Sequence, residues 1–158
     1  MKYNNFGLPG KGNHAIENSL NTFSINDAHL VIQFTDMYRI QYLENDNLQY
    51  RKVHELSPTF SNSVLYSDEN LLYNFKNIVT RVVNKLRDGN NKFIITHTAN
   101  IEDLYAIKCT EFLYTFNEFS SDIGTHVDIA SDNSHYGMQS HKLWANRLYD
   151  KWIELYGT

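Results

Sequence analysis

Apolar positions along the chain follow two periods. Leu71, Leu72, Phe75, Ile78, Val79, Val82, Val83 and Leu86 recur every three or four residues, which places them on one broad helical face. Ser67 and Asp68 can cap this helix, which is expected from Glu69 to about Asp88 and ends at Gly89. Ile16, Leu20 and Phe23 predict a shorter helix from His14 to about Phe23, with Asn13 as its N-cap. Leu143, Trp144, Leu148, Trp152 and Leu155 line one side of a last helix expected over Gln139 to Tyr156. Between the helices lie short apolar runs. Ala28 to Thr35 is nearly continuous and fits a buried parallel strand. Lys92 to Thr96 predicts another, Glu111 to Phe116 a weaker one, and Tyr3 to Phe6 a short one. Ile101 to Ile107 reads as a short helix.

Alternating helices and strands argue for α/β layering, and a three-layer α/β/α arrangement on a mainly parallel sheet is expected. The chain has 158 residues, two prolines and no linker-like run, so residues 1–158 are expected to form one domain. Residues from about 37 to 67 show no clear period and carry Tyr38, Tyr42, Tyr50, Phe60 and Tyr66. They read as an irregular insertion, and long loops in compact domains usually have functions. Sites in such sheets lie at the carboxyl ends of strands. The turn at Gly7–Gly12, Thr35-Asp36, Thr96-His97-Thr98 and the Asp132–His135 loop are all expected there.

Charge and composition narrow the function. The net charge is −4, and the 14 Lys and Arg are scattered, so no nucleic-acid partner is expected. Cys109 is the sole cysteine, which excludes an internal disulfide and a Cys-based zinc site. No run approaches the ~20 apolar residues of a membrane span, and Met1–Phe6 does not resemble a secretion signal. A soluble chain in the cytoplasm, or in a host's cytoplasm if it is viral, is expected. Lys11 is not followed by Ser or Thr, so the glycine-rich turn is no Walker loop. No cofactor is expected.

Asp132-Asn133-Ser134-His135 directly precedes the last helix. A carboxylate three residues before a histidine can return to its ring, fix the tautomer and stabilise the imidazolium that a general base forms. Gly137, then His141-Lys142-Leu143-Trp144-Ala145 and Leu148 follow. This run resembles the closing block of SGNH/GDSL-type hydrolases. The match covers the acid–histidine pair and the amphipathic helix after it. The resemblance implies a flavodoxin-like fold and hydrolysis of an ester or acyl bond, such as acetyl removal from a glycan. His135 would be the base and Asp132 its orienter.

Two further segments extend the resemblance. Asn5 to Asn13 is similar to the family's second block, whose strand ends in an oxyanion-donating glycine; Gly10 corresponds to it, with Asn13 beside it. Val31 to Arg39 matches the third block, but Thr35-Asp36 stands where many members have a donating Asn. Divergent members associated with phages look similar there. Thr35 can donate through its hydroxyl, whereas an ionised Asp36 cannot donate. Arg39 either grips an anionic substrate group or pairs with Asp36. His97 either faces the cleft as a substrate contact or is a rim histidine.

The family's first block, Gly-Asp-Ser with the nucleophile, has no counterpart: nine residues precede Gly10 and none is serine. Three explanations follow: a split or truncated member, a gene that starts further upstream, or a fold repurposed without serine chemistry. Strands over 2–6 and 29–35 would then pair directly, or a homo-oligomer would fill the sheet. The competing functions are a non-catalytic binding or assembly protein and a metal-dependent enzyme using His126, Asp132 and His135. The metal reading is the weaker, and no metal site is assigned.

Overall fold

The computed structural model describes residues 12–35, 37–44, 47–53, 67–97, 109–114, 128, 130–131 and 137–157. It is a mixed α/β protein with three helices and a small parallel sheet among these residues. In chain order the elements are α1 (Asn13–Phe23), β1 (His29–Phe34), β2 (Arg39–Glu44), β3 (Asn47–Lys52), α2 (Asp68–Asp88), β4 (Lys92–His97), β5 (Phe112–Tyr114) and α3 (Met138–Tyr156). The expected strand at Tyr3–Phe6 and helix at Ile101–Ile107 lie outside the described residues. Two compact units emerge, Met1–Ala28 with Thr35–Asn91, and His29–Phe34 with Lys92–Thr158.

In the first unit, α2 buries the face its spacing predicts, from Leu71 through Leu86, with Leu72 half-buried. Each such aliphatic or aromatic side chain contributes about 1.5–3 kcal/mol. The Ser67 hydroxyl accepts from the Asn70 N–H at its start. At its end Gly89 has an ordinary negative φ of −81°, and Asn90 is the left-handed residue at 54°. Helix α1 runs alongside in the same direction, since Arg81 pairs with Glu17 and Lys85 donates to Asn21, each four residues further along. Its buried positions are Asn13, Ala15 and Leu20. Phe23, expected on the apolar face, is 54% exposed. Part of the expected irregular insertion is regular: β2 and β3 form an antiparallel ladder from Arg39↔Lys52 to Glu44↔Asn47. Ile40, Val53 and Leu71 form a small core at its base, with Met37 and Tyr38 against them.

Asparagines join the ends of α1 and α2. The Asn91 side chain accepts from the Ala28 N–H (2.9 Å) and donates to Ile25 O and Leu86 O. Asn90 donates to Asp27. The links to Ala28 and Asp27 each span 63 residues. The same offset sets the parallel register of the next strands, His29↔Lys92 to Phe34↔His97.

The second unit holds a three-stranded parallel sheet in the order β1-β4-β5. Phe93, Ile94, Ile95 and Thr96 of β4 are almost wholly buried, as a central parallel strand requires. Strand β1 is parallel, as its apolar run implies, but it is not buried on both faces: exposure alternates along it, and Val31 is 48% exposed. Helix α3 is tied to β4 by Tyr156, whose hydroxyl accepts from the Phe93 N–H and donates to Phe93 O. Trp152 packs between His29 and Tyr156. The predicted apolar side of α3 is only half-buried.

Candidate functional site

Asn13, Thr35 and Arg39, three residues named from the sequence, gather at the start of α1 in the first unit. Gly12 permits the approach: a Cβ there would stand 2.6 Å from the Arg39 carbonyl oxygen. Asn13 is not the N-cap. Gly12 holds that position without a side-chain cap, and Asn13 is the first helical residue. Asn13 is 3% exposed, and its amide pairs with the chain just beyond β1. Nδ2 donates to Thr35 O (3.0 Å), and the Thr35 N–H donates to Oδ1 (2.8 Å). Buried amides are retained where they satisfy main-chain groups in this way. Asn13 is therefore a positioning residue, which fixes the backbone of Thr35 and with it the origin of the Thr35 hydroxyl.

Beside these residues lies a cavity of about 140 Å³, lined by Asn13, His14, Arg39 and Gln41 above Leu71, Phe75 and Ile78. His14 was not singled out by sequence reasoning, because nothing but its neighbours in space marks it. Burial holds its imidazole below the ordinary histidine range; Glu17 opposes this and Arg81 adds to it. A neutral imidazole offers one donor and one acceptor.

The second unit shows what anchors the acid–histidine loop. Asp128 precedes the loop and Gly137 follows it. The Gly137 N–H donates to Asp128 O at 3.1 Å. The Asp128 carboxylate accepts from the Gln139 and Ser140 N–H groups (3.0 and 2.8 Å), capping α3 from ten residues before its first residue. The Ser140 hydroxyl, on a residue 1% exposed, donates to Asp128 O and Oδ1. A Cβ on Gly137 would overlap this carboxylate. The Gln139 N–H foremost, then Ser140, holds the Asp128 carboxyl below the usual range.

No family model, curated protein or solved structure matches the chain.

Gly10, Asp36, Asp132 and His135 lie outside the described residues, as do His126 and Ser134, and of His97 only the backbone is described. His97 ends β4 in register with Phe34 and Tyr114, at the carboxyl ends of the strands. Among the described residues no three His, Cys, Asp or Glu side chains converge on a point. Asp128, whose spacing from His126 suggests a ligand pair, commits both oxygens to α3. Cys109 is half-buried, and its thiol donates to Glu111.

The capping carboxylate gives a prediction. A carboxyl whose folded pKa is depressed stabilises the fold above its unfolded value, about 4, and that contribution fades as pH falls through the folded value. Glu17, depressed chiefly by its hydrogen bond with Arg81, acts in the same window. Asp128→Asn should lower the melting temperature at pH 7 and flatten its decline below pH 4. Glu17→Gln should flatten it less, because an exposed ion pair contributes little. Melting curves from neutral to acid pH check this, and an unchanged slope in Asp128→Asn contradicts the assigned cap.

Proposed function

We propose that the chain carries the acid–histidine and oxyanion parts of an SGNH-type acyl-hydrolase site on a three-layer, flavodoxin-like domain. His135 is the general base, Asp132 orients it, and the Gly10 N–H with the Thr35 hydroxyl faces the developing oxyanion. Asn13 holds Thr35. The observation that carries this reading is the Asn13–Thr35 pairing, since two residues named from separate sequence blocks share two hydrogen bonds. Oxyanion donors act through preorganisation, and a doubly bonded backbone supplies it. The Asp128 clamp supports the reading further by fixing both flanks of the acid–histidine loop. The substrate class is a small or glycan-borne ester.

A second reading, a binding or assembly protein on the same fold, is favoured by one fact: no Gly-Asp-Ser run occurs among these 158 residues. One experiment separates the two. The purified chain and His135→Ala are assayed on short-chain aryl esters and treated with a serine-directed phosphonate, followed by mass spectrometry. A hydrolase turns over the ester, loses turnover to background in His135→Ala, and carries the label on one serine. Neither turnover nor label means that these 158 residues alone do not hydrolyse esters, and the binding reading then stands.

A further inference from the structure

We draw no further inference here: the strongest candidate, the cavity beside the start of α1 over Leu71, Phe75 and Ile78, carries nothing because nothing in the structure shows what covers it or which polar group of its lining would meet a ligand.

Discussion

Asn91→Ala should destabilise the chain by about 3 kcal/mol or more, read from the midpoint of urea unfolding and a lowered melting temperature. Asn91 is 9% exposed, and its side chain makes three hydrogen bonds, to the Ala28 N–H, Ile25 O and Leu86 O. Alanine cannot replace any of them. Leu86 O keeps the Asn91 N–H as a partner. The Ala28 N–H and Ile25 O lose theirs, and each unsatisfied buried group costs about 1–3 kcal/mol. The neighbouring Asn90 is the control. It is exposed and left-handed, with one side-chain bond to Asp27. Asn90→Gly keeps the backbone relaxed and should change stability by no more than about 0.5 kcal/mol. Equal effects at the two positions would show that the turn needs any asparagine there and that the Asn91 bonds do not join the two helix ends.

That contrast shows what the sequence could and could not reveal. Helix α2 was legible because seven of its buried side chains follow the helical period. Period tells which residues share a face but not how far along an element that face is covered. Phe23 and Val31 fit their elements' patterns and are nonetheless about half exposed. The β2–β3 hairpin left a signal that was missed, an Asn45-Asp46 pair between two short segments, which suits a two-residue connection. The asparagines left none. Asn13, Asn90 and Asn91 look alike in a chain rich in that residue, and all but one of their partners, Leu86, lie 22 to 66 residues away. Of the candidate residues, Asp132 and His135 stood out through local spacing. Asp128 did not, because it caps a helix that starts ten residues later, and helix caps normally adjoin the first turn. Local rules find residues whose partners are near in sequence, and Asn13 and Asp128 have partners that are not.

Asn13→Ala should destabilise the chain by about 2–4 kcal/mol in the same unfolding measurement. It removes both bonds to Thr35 and leaves that residue's N–H and carbonyl without their side-chain partner. A pure stability loss would fit any buried amide, so Asn13→Asp is the more telling variant. One carboxylate oxygen can still accept from the Thr35 N–H. The other would face Thr35 O, 3.0 Å from the present donor, with no proton between them. The new carboxyl therefore gains a partner only when protonated, and its folded pKa is raised. Its stabilising contribution is then fully present below the unfolded value, about 4, and is lost as pH rises through the folded value. The variant's stability relative to the parent should improve on acidification, opposite in sign to the contribution of Asp128. If the relative stability of Asn13→Asp does not improve on acidification, Asn13 does not donate to Thr35. The support that the pairing lends to an oxyanion role for Thr35 then falls with it. If it improves, the same variant assayed for ester hydrolysis in acid and at neutral pH shows whether a firmly held Thr35 backbone is what the chemistry requires.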